Sequence, residues 1–502
     1  MTHLHLWQSI PFFCIILPLG SAAVTSIMKP RMARIWATSI ISIVTVLSAV
    51  ITAIFMNGAE PYTYMMGHYP APWGNEIRAG MLEALTALVF SLVMLLSLLG
   101  GMKKLDEHLP HQNQSLYCVV LLLMTAALMA QVYTNDIFTG YVFLEIMTLA
   151  ACALIAVRKR GRTLVAAAKY MIMNLIGSGL FLLGIIFLYD ISGHLLMENI
   201  GEAVAKIAAT GEYRQPLIVS VTLITIGLSI KSALFPFHTW VPDAYGFSTP
   251  TSAAVLSSLV SKGYIFLLIK IMYRVIGLDV IVSTGITDVL FVFALVGMVM
   301  GSLSAIRQND IRRMVAFSSV AQIGYIYMGI GMGTDAGMMA AMFHLFSHTL
   351  CKSMLFLAAG GLADASGNSK IFRDLRGAGY RSPIAGVAFT IGALSMVGFP
   401  FLGGFVAKFN FALAAMEIGG TRALLVLIVL AISTSLNTVY FLRTVITLYR
   451  KPLETATYPV EKGQRGTLFS AALVAFALAN VVLGLCSQGV VNAIVTGLTT
   501  FG

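Results

Sequence analysis

Apolar stretches of about 20 residues recur along almost the whole chain, separated by short polar links. About 20 apolar residues of helix are needed to cross the hydrocarbon core of a bilayer. Each stretch therefore predicts one membrane span. They fall near 8–28, 35–56, 81–101, 115–133, 138–157, 163–189, 216–236, 250–273, 280–305, 312–332, 336–362, 383–416, 422–448 and 467–498. The pattern predicts an all-α polytopic membrane protein with 14 transmembrane helices, the twelfth too long for one straight crossing. The first stretch has no basic start and reads as a span, not as a cleavable signal. The longest polar connections run roughly 20–25 residues, which leaves no room for a soluble catalytic domain.

Two spans are interrupted in a parallel way. The seventh reads GLSIKSALFPFHTWVP and the twelfth SMVGFPFLGGFVAKFNF. Each holds a Phe-Pro-Phe tripeptide (Phe235-Pro236-Phe237 and Phe399-Pro400-Phe401) and one lysine, Lys231 before the proline and Lys408 after it. The breaks lie five spans apart, so spans 4–8 and 9–13 are candidate repeats. An odd number of spans per repeat requires successive copies to be inverted, a recurrent plan in transporters with discontinuous helices. The alternative is coincidental prolines in a simple bundle. The expected divisions are an N-terminal three-helix region (1–114), a first half-channel (115–275), a second half-channel (276–448) and a C-terminal helix (449–502).

Composition agrees with a lipid solvent. Apolar residues make up 58% of the 502 and charged ones 11%, against about 25% charged in soluble domains. The net charge of +11 comes without a basic stripe or a stacking platform, so nucleic acid is not an expected partner. Alternate links divide the Lys and Arg residues 20 against 5, the poorer set being Arg78, Lys206, Arg214, Arg274 and Arg422. The positive-inside rule then puts both termini outside. The five cysteines (Cys14, Cys118, Cys152, Cys351, Cys486) are scattered without a C-x-x-C pair. Disulfides, iron–sulfur, haem, nucleotide and zinc sites are not expected. No cofactor is implied.

Seven cations remain inside apolar stretches: Lys169, Lys231, Lys262, Lys270, Lys352, Lys408 and Arg443. A charge at the bilayer centre costs at least about 2.5–3.5 kcal/mol on insertion scales, so such residues point first to an ion or proton path. Glu145, in FLEIMTLA, is the acid near the middle of a span. It must be neutral or paired there, and a lysine on a neighbouring helix could form a switchable pair with it. A purely architectural ion pair is the alternative. His344, His348 and Lys352 follow one another at i, i+4 and i+8 in the eleventh span, about 6 Å apart along one helix face. Imidazole exchanges protons near neutral pH, so the column suits a relay. Bound metal, or core histidines tied to carbonyls, are the competing readings. Lys262 sits mid-span beside Ser257, Ser258 and Ser261. Lys169 lies less than two turns past a basic link, where snorkelling and function are equally open. Lys270 and Arg443, near span ends, read as snorkelling or anchoring. His238 and Trp240, just after the seventh break, either line an entrance or mark the membrane interface.

Taken together, FLEIMTLAACALIA, KSALFPFHTWVPDAYGFSTPTSAAVLSSLVSKGY, RRMVAFSSVAQIGY, MFHLFSHTLCKSMLFLAAG and GFPFLGGFVAKF resemble the antiporter-like subunits shared by respiratory complex I, membrane-bound hydrogenases and Mrp-type cation/proton antiporters. The resemblance implies two inverted half-channels and a hydrated midplane axis. It implies that Glu145 pairs with Lys231, that Lys262, His344, His348 and Lys352 form the centre, and that Lys408 serves the second half. A glutamate stands at that last position in M-type subunits, so Lys408 is similar to the L, N and Mrp D types. The segment GHYPAPWGNEIRAGMLEALTALVF looks most like Mrp D and its hydrogenase counterpart. The implied role is proton translocation, with sodium as the counter-ion in an antiporter. The partners would be other membrane subunits in the cell membrane of a prokaryote. The runner-up role is the pumping subunit of an NADH-, formate- or ferredoxin-linked oxidoreductase, with the redox centres in other polypeptides.

Overall fold

The computed structural model describes residues 6–66, 69, 75–102, 105–452 and 466–501. Among these, 12 helices are long and apolar enough to cross a membrane. In chain order the helices begin with α1 (Leu6–Thr25), α2 (Pro30–Met56), α3 (Met81–Gly101), α4 (His111–Tyr133), α5 (Ile137–Ala156) and α6 (Gly161–Ser192). Then come two shorter pieces, α7 (Arg214–Lys231) and α8 (Val241–Phe247). Four long helices follow: α9 (Pro250–Ile276), α10 (Ile286–Ile306), α11 (Ile311–Gly331) and α12 (Asp335–Asp364). The chain continues through α13 (Pro383–Val397), α14 (Gly403–Ile418), α15 (Gly420–Leu448), α16 (Thr467–Leu485) and α17 (Ser487–Thr499).

The 12 continuous crossings coincide with expected spans, and α7–α8 and α13–α14 are the two elements expected to be interrupted. The last expected span divides at Cys486 into α16 and α17. Lys103, Lys104, Lys462 and Arg465 of the basic links, and residues 67, 68 and 70–74 of the segment before α3, lie outside the described residues. A hairpin, β1 (Tyr62–Met65) against antiparallel β2 (Glu76–Ala79), packs over one end of the bundle with Tyr62 opposite Ala79.

Local chemistry sets the helix boundaries. Asp136 caps α5 by accepting from the Thr139 amide at 2.6 Å, Asp310 caps α11 through the Arg312 and Arg313 amides, and Thr334 caps α12. Each cap satisfies amides that have no partner within their own helix. At the first break α7 stops at Lys231, and Ala233 takes a left-handed φ of 67°. At the second, α13 stops at Val397 and Gly398 turns at φ 95°, a conformation open to glycine for want of a Cβ.

Burial gives the bundle its layers. Helix α9 is buried from Thr251 to Met272, and α11 and α12 along most of their length. Helices α6 and α15 instead present Ile172, Leu175, Ile186, Leu424, Val439 and Ile446 outward. An apolar rim around a polar-studded centre inverts the pattern of a water-soluble protein, as lipid solvation requires. Two of the buried helices, α9 and α12, carry Lys262, Lys352, His344 and His348, so these titratable residues lie where the fold is densest.

Candidate functional site

Helix α5 presents Glu145, and one turn later Thr148. Lys231, the last residue of α7, is fully buried. Its Nζ lies 3.3 Å from Glu145 Oε1 and donates to Thr148 Oγ1 at 2.7 Å. The Ser178 hydroxyl of α6 also donates to Glu145. Close approach of α6 and α7 makes this possible. Gly177 and Gly227 face each other so tightly that a Cβ at Gly177 would meet the Gly227 carbonyl at 2.8 Å and Lys231 Cγ at 2.9 Å. Glu145 is not as deep as its apolar flanks suggest, because its side chain is 24% exposed on the flank of the bundle.

From this pair the polar contacts run inward. Thr148 Oγ1 meets the Tyr264 hydroxyl at 3.0 Å, and the Lys231 ammonium lies 5.2 Å from the Tyr264 ring centre. Tyr264 is two residues beyond Lys262 on α9. Lys262 follows a π-helical turn, Leu256–Val260, and its Nζ donates to the Ser257 carbonyl at 2.5 Å. A π-turn widens the backbone locally and is frequent at functional sites. Here it leaves a main-chain oxygen for the lysine.

On α12 the imidazoles of His344 and His348 are parallel, with centroids 5.9 Å apart. All four of their ring nitrogens are buried and have no hydrogen-bond partner among the described residues. His348 is within electrostatic reach of Lys262 and Lys352, and His344 within that of Lys408. Buried polar atoms are almost always hydrogen-bonded to protein or to ordered water. The carbonyl-tied core reading therefore loses its support. The described residues also gather no group of three His, Cys, Asp or Glu that could hold a metal.

Lys352 donates to the Val315 carbonyl at 3.1 Å and to the Ser318 hydroxyl. Lys408, in α14, reaches back across the second break to the Val397 carbonyl at 2.8 Å and to Thr434 Oγ1 at 3.1 Å. Its ammonium lies 5.4 Å from the Tyr325 ring centre, and Tyr325 packs 5.5 Å from His344. Lys231 is thus the last residue of its half-helix, and the Lys408 ammonium meets the C-terminal carbonyl of α13, where helix dipoles favour a cation.

Contacts join Glu145, Lys231, Thr148 and Tyr264 on one side and His348, His344, Tyr325 and Lys408 on the other. Lys262, two residues before Tyr264 on α9 and within electrostatic reach of His348, connects the two sets into a row, with Lys352 beside its centre. Ser178, Thr148, Tyr264, Tyr325 and Thr434 were not singled out in the sequence. Thr148 had a signal, its i+3 position after Glu145. The others depend on which helices pack together.

Other candidates fall outside the row. Lys169 is 54% exposed and paired with Asp243 at 2.7 Å. Arg443 is exposed and donates to the Ile306 carbonyl. His238 is half-buried in the first break with its ring against Phe235. Trp240 is fully buried between Tyr170 and Tyr245, which removes it from an interface. Lys270 does not snorkel. It is completely buried and donates to the Val132 carbonyl at 2.7 Å.

A polar cavity of about 230 Å³ opens at the basic-rich end, lined among others by Glu107, Arg158, Arg312, Lys370 and Pro250. Burial pulls the Lys370 ammonium down to about 7, with Arg312 pushing the same way. From Pro250 a series of hydroxyls continues toward Lys262. Ser252 lies 3.2 Å from the Tyr117 hydroxyl, Ser258 2.8 Å from Ser353, and Ser257 3.4 Å from Ser319.

Residues 134–435 match the family described as NADH:quinone oxidoreductase/Mrp antiporter, transmembrane. The chain is 33% identical over 446 residues to the N-type subunit of the NADH-quinone oxidoreductase of Desulforudis audaxviator (strain MP104C), covering 87% of each chain. It is 27% identical over 481 residues to the D-type subunit of the Na(+)/H(+) antiporter of Bacillus subtilis (strain 168), covering 95% of this chain and 94% of that one. Its fold superposes with a TM-score of 0.87 on a chain of the membrane-bound sulfane sulfur reductase, an archaeal respiratory membrane complex, at 26% identity and 98% coverage of each. A chain of the Mrp complex from Dietzia sp. DQ12-45-1b gives 0.86 at 22% identity, covering 99% of this chain and 98% of that one.

Proposed function

Since this chain belongs to the NADH:quinone oxidoreductase/Mrp antiporter transmembrane family, we propose that it moves protons across the membrane along the row from Glu145 to Lys408. It is an antiporter-like subunit of the type found in multi-subunit membrane complexes. The observation that carries the reading is the succession of titratable side chains and hydroxyls through the most buried helices. Such residues are costly in a bilayer, and their alignment serves no packing need.

In this reading residues 115–275 and 276–448 form two half-channels related by inversion, flanked by 1–114 and 449–502. The hydroxyl series from Pro250 supplies Lys262 from the basic-rich side, and His238 lines a second mouth at the first break. The basic-rich side is cytoplasmic, and both termini lie outside the cell membrane of a prokaryote. Energy comes from counterflow of a second cation such as sodium, or from redox chemistry in partner subunits. The relative in NADH-quinone oxidoreductase favours the redox-linked variant as the second reading. Genes for small antiporter subunits or for iron–sulfur subunits beside this one would separate the two.

Lys408 offers a direct test, because a relay needs a group that releases its proton. Arginine keeps the charge but does not deprotonate in proteins. Lys408→Arg is expected to be inactive, and Lys408→Glu to keep part of the flux, with proton uptake into vesicles measured at matched expression. An active Arg variant beside a dead Glu variant would make Lys408 a fixed charge only. His348→Ala should lower the flux without stopping it. A water replacing the imidazole costs up to about 2 kcal/mol, which corresponds to a loss of no more than roughly thirtyfold.

A further inference from the structure

Helix α9 carries a second buried lysine that the row does not use. Lys270 follows Lys262 by eight residues, about 12 Å along the helix axis, toward the end of the bundle poor in basic residues. Its Nζ lies 3.9 Å from Glu83 Oε1, and Arg78 NH1 donates to the same oxygen at 2.8 Å. Glu83 is 1% exposed, and its other oxygen, Oε2, has no partner among the described residues. Arg274 completes the electrostatic group, with Glu76 and Glu198 further acids within its reach. Two cations thus contact one fully buried carboxylate, with a third within its electrostatic reach. A hairpin anchor would need only the Arg78–Glu83 pair.

The interval between the two lysines is bordered by polar atoms. Gln131 of α4 packs against Gly263, its Oε1 3.1 Å from where a Cβ would stand. That oxygen is buried without a partner among the described residues, as is the Tyr133 hydroxyl, which lies within electrostatic reach of Glu83. On the far side, Arg78 donates to the Thr500 carbonyl and Arg274 to the Phe501 carbonyl at 3.3 Å. The Phe501 ring lies 5.6 Å from the Arg78 guanidinium and 6.0 Å from the Lys270 ammonium. Beyond it is a cavity of about 410 Å³ whose walls include Phe501, Arg274, Tyr273, Glu198 and Asp279.

We propose that Lys270 and Glu83 form a proton branch from the central lysine to the basic-poor face, distinct from the Lys408 half. The Lys270 ammonium gives its proton to the Glu83 carboxylate. The resulting carboxylic acid passes it to water in the outer cavity, and the Lys270 amine takes a new proton from the Lys262 side. Phe501 separates the buried cluster from that cavity. The branch gives a role to Arg78 and Glu83, the charged residues of the segment before and into α3 that the row leaves unexplained.

The branch rests on the reading of Lys262 as a proton carrier, and the test keeps the two apart. Proton flux is measured in vesicles holding the whole complex, with assembly followed on native gels. Lys270→Arg, which preserves the charge, and Glu83→Gln should each assemble and lose flux by about a hundredfold, the lower range for loss of a proton-transfer group. Glu83→Asp should retain most of it. An assembled Lys270→Arg variant at wild-type rate beside an inactive Lys262→Ala overturns the branch alone. An active Lys262→Ala overturns the row and the branch with it. If only Glu83→Gln fails to assemble, Lys270→Arg decides. Failure of both to assemble makes the cluster architectural and overturns the proposal.

Discussion

Glu145→Gln and Lys231→Ala should each abolish proton flux while the complex stays assembled in the membrane. The pair is 3.3 Å apart, with Lys231 fully buried and Glu145 24% exposed. Two unit charges at that distance attract by about 5 kcal/mol at an effective dielectric constant of 20. Removing a buried ion from water costs several kcal/mol. Attraction and desolvation nearly cancel, so the pair can open and close without a large energy change, which is what a switch requires. Glu145→Gln leaves Lys231 with no acid to answer it, and Lys231→Ala leaves Glu145 held by Ser178 alone. Vesicle flux with native-gel assembly reads both. Wild-type flux in either variant would remove the pair from the mechanism, and loss of the complex would make it an architectural bridge.

The element pattern was legible because lipid leaves so few options. Backbone groups in hydrocarbon must be satisfied internally, so long apolar runs become helices. The breaks were legible through Phe235-Pro236-Phe237 and Phe399-Pro400-Phe401, since proline removes a donor and crowds the preceding turn. The His344, His348 and Lys352 column followed from helix geometry alone. What the sequence hid was tertiary. Lys169 and Lys231 have similar apolar flanks, yet one meets Asp243 at the surface and the other is sealed between α5, α6 and α9. Lys270 looked free to snorkel because it is near the end of its span. It is buried because α9 is enclosed on all sides, with Val132 and Phe501 closing over that end. Glu83, two residues into α3, looked like an acid that favours a helix N-terminus. Its burial depends on Arg78 from the hairpin and Lys270 from α9, neither predictable from spacing. Tyr264, against Lys231, and Tyr325, against Lys408, read in sequence as ordinary aromatics of apolar spans.

Lys262→Ala is expected to have the largest effect outside the ion pair. In the proposed path Lys262 is the titratable group through which the Glu145–Lys231 pair, the hydroxyl series from Pro250 and the two histidines communicate. Its ammonium is held by the Ser257 carbonyl with no acid in ion-pair contact among the described residues. Losing it therefore strands no buried carboxylate, and assembly should survive. A methyl group there can neither accept nor release a proton. Proton uptake by vesicles containing the assembled Lys262→Ala complex is the measurement closest to the central claim. The row of buried side chains predicts no uptake above that of vesicles lacking the complex. Uptake at the wild-type rate would mean that protons cross by another route.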